Sequence, residues 1–348
     1  MPYFSIIIAT YNCENHIKNT IESIMRQTFS DYELIIVEDG STDNTMSILE
    51  KYSEQENVTV IEQENSGPGP ARNAGIEIAK GKYLYICDAD DILEENLLQE
   101  FFEATQTDCD IAVCGYNMIK KGKKKDTIRV FNADPISALT HKTFLTLLPD
   151  LMNRGLMYVT WNKVYKHSVV SDNNIRFTGF KSAEDRLFNL AVFEKVNVFS
   201  FIDKPLYNYY LRGNEGLATK FLPDKLESLE AFFEEVTALF QDGKMFDSKT
   251  NSTFSYIFIK GVVSVLVSTQ SDSCTLTKEE KNEYIKKVLN SEVLKTALKN
   301  SKTKNIVKLK IKFVLWTKAV WLNKFLAKVI CFTNDNLNEI FMRIKHEK

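Results

Sequence analysis

Lys82-Tyr83-Leu84-Tyr85-Ile86-Cys87-Asp88-Ala89-Asp90-Asp91 is the stretch on which the reading of this chain turns. Its first half is a run of mostly apolar, partly aromatic residues bounded by Lys80-Gly81, the pattern of a buried strand. Its second half places three carboxylates within four residues. Such groups repel one another and resist dehydration, so the cluster is costly unless a cation neutralises it. A hard divalent ion such as Mg²⁺ or Mn²⁺ suits these oxygen ligands and keeps positions open for substrate oxygens. The simpler alternative is a polar turn, with Asp90-Asp91 capping a helix that begins near Ile92-Leu93.

Outward toward the amino terminus the pattern repeats. Residues 4–9 form an apolar β-branched run that Thr10-Tyr11-Asn12 ends, and Ile17, Ile21 and Ile24 follow at helical spacing. Leu34-Ile35-Ile36-Val37 predicts a second strand, ending in Glu38-Asp39-Gly40, with a helix capped by Ser41 or Thr42 after it. Val58-Thr59-Val60-Ile61 predicts a third strand. The order βαβαβ implies a parallel sheet with helices on its faces. Ligands of such sheets bind beyond the carboxyl ends of the strands. The polar groups at 10–12, 38–40 and 88–90 are therefore expected to converge on one crevice.

Between the third strand and the acidic one lies Ser66-Gly67-Pro68-Gly69-Pro70-Ala71-Arg72-Asn73-Ala74-Gly75. Pro70 suits a first helical position, which would set Arg72 in the first turn, where free amides and a guanidinium attract anions. A Pro-Gly loop with a solvated arginine explains the same residues. Downstream, Asp110 to Tyr116 reads as another strand, and the lysines of 120–125 as a solvated hairpin tip or loop. Ser182 and Asp185 have capping-box spacing. A carboxylate at a helix start is held ionised, able to accept a proton but a weak base. Tyr207 to Asn214 combines aromatics with Arg212, a sugar-stacking, phosphate-contacting loop or a strand edge.

The whole chain has 348 residues, 44% hydrophobic and 26% charged, with a net charge of −2. Those values describe an ordinary globular protein with length for one large or two modest domains, and they argue against nucleic acid as the main partner. The six cysteines form no CxxC pair. Cys87 and Cys114 fall in strand-like runs, as small core residues of a reducing compartment do. The amino terminus enters its first strand without a basic or long apolar leader, so a cytoplasmic location is expected.

Taken in order, Ser5-Ile6-Ile7-Ile8-Ala9-Thr10-Tyr11-Asn12, Val37 to Thr45, Gly69 to Gly75, Asp88 to Asp91, Trp161-Asn162-Lys163 and Glu184-Asp185 resemble the motifs of family 2 glycosyltransferases over roughly residues 3 to 216. The resemblance implies an α/β fold of the GT-A type, a Rossmann-like mixed sheet with flanking helices, and inverting transfer from a nucleotide sugar, most often a UDP-sugar. It implies that Asp39 bonds the base and that Thr10, Tyr11 and Asn12 line the same pocket. Arg72 would contact donor phosphate or position the acid cluster. Asp88, with Ala89, would meet the ribose or metal-bound water, and Asp90 would ligate Mn²⁺ or Mg²⁺. Asp185 would be the general base and Glu184 would shape its pocket. Lys163 and Arg212 are weaker candidates for donor or acceptor contacts. Glu38 stands where the family often has aspartate, and Pro68 and Pro70 where smaller residues are common.

Residues 1–115 are expected to hold the nucleotide sugar, 116–216 the acceptor, and 217–348 to form a helical region that is basic from 293. Leu226, Leu229, Phe232, Phe233, Val236 and Phe240 mark one amphipathic helix, with others near 254–267 and 279–289. From Val293 to Asn334 there are ten lysines and no acidic residue, interleaved with Phe313, Trp316, Trp321 and Phe325. That composition suits an anionic membrane surface or a packed basic helix, while its lysines argue against a transmembrane span. The expected function is sugar transfer to a glycan hydroxyl in bacterial surface or capsular polysaccharide assembly, with a lipid-linked acceptor or, alternatively, a protein-linked glycan. Self-association is left open. A phosphohydrolase would carry its aspartate pair on the first strand, and here three strands precede it. A non-catalytic nucleotide-sugar-binding or scaffold protein of the same fold is the remaining class.

Overall fold

The computed structural model describes residues 1–122, 126–182, 184–212 and 220–336. The chain divides into two compact units, Met1–Arg212 and Gly213–Lys348. The division expected after 216 falls among residues outside the described set.

In the first unit the elements are β1 (Phe4–Thr10), α1 (Ile17–Met25), β2 (Tyr32–Glu38), α2 (Thr45–Leu49), β3 (Val58–Glu62), α3 (Pro68–Ile78), β4 (Tyr83–Asp88), β5 (Ile92–Leu93) and α4 (Leu97–Thr105). Then come β6 (Ile111–Lys120), β7 (Thr127–Phe131), β8 (Ile136–Thr140), α5 (His141–Asn153), β9 (Lys163–Lys166), α6 (His167–Asp172), α7 (Glu184–Lys195) and β10 (Val198–Tyr210). One mixed sheet runs β3-β2-β1-β4-β9-β6-β10-β5, with β7 on β6 and β8 on β10. The first four strands are parallel, with Ile7 opposite both Ile35 and Ile86. Both faces of these strands are covered, which is why they read as continuous apolar runs: Phe4, Ile6, Ile7, Ile8 and Tyr83 to Ile86 are all fully buried. Position 115 lies within β6, so the two expected halves share that strand.

Three local expectations are corrected. Helix α2 starts at Thr45 rather than beside Ser41 or Thr42, because those residues are engaged elsewhere. The Asn12 amide donates to Ser41 Oγ (2.9 Å), and the Thr42 amide donates to Asn12 Oδ1 (2.8 Å). Ile92-Leu93 is an edge strand paired with β10, not a helix start. Helix α3 begins at Pro68, two residues early: Gly67 turns with φ +92°, and Pro68 takes a first helical position where its missing N–H costs nothing. Arg72 therefore sits in the second turn. Gly75 lets α3 lie on the sheet, since a Cβ there would overlap Ile7.

The lysine run of 120–125 joins antiparallel β6 and β7, with residues 123–125 outside the described set. The second unit is helical: α8 (Lys225–Asp242), α9 (Ser248–Ser268), α10 (Lys278–Asn290), α11 (Glu292–Asn300), α12 (Ile306–Trp316) and α13 (Val320–Asn336). The expected stripe from Leu226 to Phe240 is its buried seam. Helix α9 is long and apolar enough to cross a membrane by length and composition, and half of it is buried within the protein.

Candidate active site

The carboxyl ends of β1, β2 and β4 lie side by side, so the three polar turns that follow them do converge. After β1, Thr10 is buried, its hydroxyl donating to the Val37 carbonyl (3.3 Å) and its own carbonyl accepting from the Asp39 amide (2.9 Å). Tyr11 is exposed, and Asn12 adopts a left-handed φ of +48° that an asparagine tolerates. After β2, the buried Asp39 carboxylate organises the 63–67 loop. It accepts from Gln63 Nε2 (2.7 Å) and the amides of Ser66 (2.9 Å) and Gly67 (2.8 Å).

Arg72 is the hub of the site. Its Nη1 donates to Glu184 Oε1 (3.0 Å) and Asp185 Oδ1 (2.9 Å), and its Nη2 donates to Asp88 Oδ1 (2.9 Å). Its guanidinium carbon lies 5.2 Å from the ring centre of Phe177, a cation–π contact. Burial works against the Arg72 charge, but Asp185, Asp88 and Glu184 outweigh it and hold the guanidinium protonated beyond its ordinary range. The alternative of a solvated Arg72 is thus corrected: the side chain is buried among three carboxylates, and its contacts join β4 to α7.

The acidic turn after β4 separates its three aspartates by environment. Asp91 is fully buried; its Oδ2 accepts from the Tyr207 hydroxyl (3.0 Å) and its Oδ1 from the Tyr210 amide (2.9 Å). The same Tyr207 hydroxyl accepts from the Asp88 amide (3.3 Å). Thr20 Oγ1 donates to the carbonyls of Ala89 (3.0 Å) and Asp91 (2.8 Å), anchoring the turn to α1. Asp90 alone reaches outward, its side chain 42% exposed, with Oδ2 on Arg212 Nη1 at 2.7 Å. Burial first, then the neighbouring Asp88, push the Asp90 carboxyl up to about 6 despite Arg212. Burial and then Asp90 and Asp88 raise Asp91 well above the carboxylate range.

Carboxylate oxygens of Asp88, Asp90 and Asp91 lie within 4.8 Å of one another, a donor set that fits a hard divalent cation. Asp91 has its oxygens engaged by Tyr207 and Tyr210, which makes it a buried support and leaves Asp90 the more accessible carboxylate of the set. Arg212 supplies the compensating charge. It also donates Nη2 to the Asp90 carbonyl and stacks 5.3 Å from the Tyr210 ring centre.

Asp185, at the start of α7, is raised to about 7 by burial, with Glu184 and Asp88 adding and Arg72 opposing. The weak-base expectation from a helix terminus is corrected here, because dehydration outweighs the helix end. Ala183, within the expected capping box, lies outside the described residues. Lys163 does not line the crevice: it is fully buried, its ammonium donating to the carbonyls of Leu156 (2.9 Å) and Val159 (2.6 Å) and to Asn162 Oδ1 (2.6 Å). Burial lowers it to about 7. The expected substrate contact by Lys163 is replaced by a structural one. Its neighbour Trp161 stacks on Tyr207 at 4.4 Å and on Tyr209 at 5.5 Å. Gln63 is the participant that motif reading passed over, while Asp91 and Tyr207 lay within stretches already singled out but without the supporting roles they take here.

The family model for glycosyl transferase family 2 matches residues 5–172. The chain is 30% identical over 243 residues to the uncharacterized glycosyltransferase EpsJ of Bacillus subtilis, covering 69% of this chain and 70% of that one. It is 26% identical over 269 residues to the putative glycosyltransferase EpsH of the same organism, covering 76% and 77%. Staphylococcus aureus TarS, a poly(ribitol-phosphate) beta-N-acetylglucosaminyltransferase, is 30% identical over 245 residues, 67% of this chain but 39% of TarS. The crystal structure of TarS residues 1–349 in complex with UDP-GlcNAc shares the fold with a TM-score of 0.68 and 20% identity, covering 94% of this chain and 91% of that one. The fold is that of GT-A glycosyltransferases. The chain belongs to glycosyl transferase family 2.

Proposed function

We propose that this glycosyltransferase moves a sugar from a UDP-sugar to a glycan hydroxyl with inversion, in the assembly of a bacterial surface polysaccharide. The observation that carries this reading is the Arg72 hub, which ties the acidic turn to Asp185 across one buried cation. Such an arrangement suits a reaction that needs a proton acceptor on one side of an anomeric carbon and charge compensation on the other. Asp185, titrating near 7, is matched to accept the acceptor hydroxyl's proton at neutral pH. Arg72 fixes its orientation, and Glu184 shares the same nitrogen. One carboxylate suffices for inversion.

Asp90, with Asp88, would hold a divalent ion, and that ion when bound supplies the positive charge that offsets the leaving diphosphate. Asp39, Thr10, Tyr11 and Asn12 would form the base-side wall, with Asp88 and Ala89 at the ribose. Arg212, already beside Asp90, would face the phosphates. The UDP-GlcNAc bound to TarS supports a UDP-sugar donor, and the poly(ribitol-phosphate) acceptor in its name supports a surface glycan. A cytoplasmic site of action and an acceptor carried on lipid fit the same reading.

The test is calorimetric titration of UDP, GDP and ADP into the protein with Mn²⁺ or with chelator. Binding of UDP that exceeds the other two and weakens in chelator is expected. Equal affinity for all three nucleotides would overturn the donor assignment.

A further inference from the structure

Helices α12 and α13 are amphipathic in the wrong sense for a protein surface. On α12, Ile306, Leu309, Phe313 and Trp316 recur at spacings of three, four and three residues, which places them on one stripe. All four are exposed, with Trp316 at 70%, whereas Leu315 on the opposite side is buried. On α13, Trp321 and Phe325 are a turn apart and exposed, Trp321 at 73%, with Val329 a further turn on, while Asn323, Ala327 and Ile330 face inward. Of the described large hydrophobic side chains that are exposed, most belong to this short segment. Scattered exposed apolar residues are ordinary, but an ordered stripe of aromatics is not.

The charged residues of the 293–334 segment have one sign, while Glu279 and Glu283 of α10, with Lys278 and Lys286, line the hollow that Trp321 shares. Lys310 is exposed near the α12 stripe, and Lys328 lies between Phe325 and Val329 on α13. Other lysines are turned back onto the helical unit: Lys308 over the Tyr256 ring at 4.2 Å, Lys318 on Asn290 (2.9 Å) and Lys324 on Asn282 (3.0 Å). No acidic residue occurs from 293 to 334. A second copy docking face to face would bring lysines against lysines, which disfavours it. An anionic bilayer answers both features, because aromatic side chains settle at the headgroup boundary while lysines meet the lipid charge.

We propose that the α12–α13 face is a membrane-docking surface that lays both helices on an anionic lipid surface without crossing it. This surface is independent of the donor site and stands whether or not the UDP-sugar assignment holds. It would hold the enzyme at the leaflet where a lipid-carried acceptor is presented.

The protein has three tryptophans, and Trp161 is buried, so a lipid-induced change in tryptophan emission reports Trp316 and Trp321. The full chain is mixed with vesicles of equal phosphatidylglycerol and phosphatidylcholine, or of phosphatidylcholine alone. A blue shift and co-sedimentation with the anionic vesicles, weakened by salt, are expected. The triple variant Trp316→Ala, Trp321→Ala, Phe325→Ala should lower partitioning by about tenfold or more, and Lys310→Glu with Lys328→Glu should erase the preference for anionic lipid. All five positions are exposed, so circular dichroism and the melting temperature should not change. Absence of a shift with anionic vesicles would overturn the proposal, as would binding that the triple variant retains. So would a concentration-dependent dimer that the triple variant dissolves while vesicles do nothing.

Discussion

Arg72 Nη1 donates to Asp185 Oδ1 across 2.9 Å, so a cation on α3 sets a carboxylate in the first turn of α7. The pair is separated by 113 residues in sequence. Removing the cation would leave Asp88, Glu184 and Asp185 facing one another in a dehydrated space. Arg72→Ala should therefore destabilise the first unit by about 3–5 kcal/mol, read by urea denaturation. Arg72→Lys should recover part of the stability but little activity, because an ammonium cannot hold the two sides of the cluster as the planar fork does.

Asp185→Asn keeps the shape and loses the proton acceptor. Turnover should fall by about 10²–10⁴-fold, with UDP affinity measured by calorimetry nearly unchanged. A matching loss of UDP affinity would place Asp185 in donor binding instead.

The pH dependence follows from the same group. Burial raises the Asp185 carboxyl to about 7, so below that pH it is increasingly protonated and cannot accept a proton. The rate should fall about tenfold per pH unit on the acid side, the slope of a single ionisation. A rate that stays flat from pH 5 to 8, about the range where an unperturbed carboxylate is already ionised, would contradict the assignment.

Asp90 and Asp91 are adjacent but should fail differently. Asp90→Ala, at the exposed position, should abolish the metal dependence of UDP binding at little cost in stability. Tyr207→Phe removes the hydroxyl that donates to Asp91 and accepts from the Asp88 amide, and should cost about 1–3 kcal/mol in denaturation while leaving the Asp90 side chain in place.

The parallel half of the fold was legible because β1, β2 and β4 are buried on both faces and so are written as unbroken apolar runs ending in polar turns. Their convergence followed from topology alone. Arg72 was legible as a candidate, with positioning of the acid cluster one of the two roles the resemblance implied, but its partners were not, since they lie 16, 112 and 113 residues away and local spacing carries no trace of them. Lys163 misled for a related reason: beside Trp161 in a charged-looking motif, it gave no sign that carbonyls of its own loop would enclose it. The start of α3 was misplaced because two prolines each suit a first helical position, and only the turn at Gly67 chooses between them. Asp91 differs from Asp90 by burial, which a run of three acids does not reveal.

The most direct test of the central claim is the release of UDP from a panel of UDP-sugars by the wild-type protein, in Mn²⁺ and in chelator, with Asp90→Ala alongside. Metal-dependent release from one UDP-sugar, lost in Asp90→Ala, is the predicted result. Release that continues unchanged in chelator and in Asp90→Ala would contradict a metal-assisted transfer built on the acidic turn.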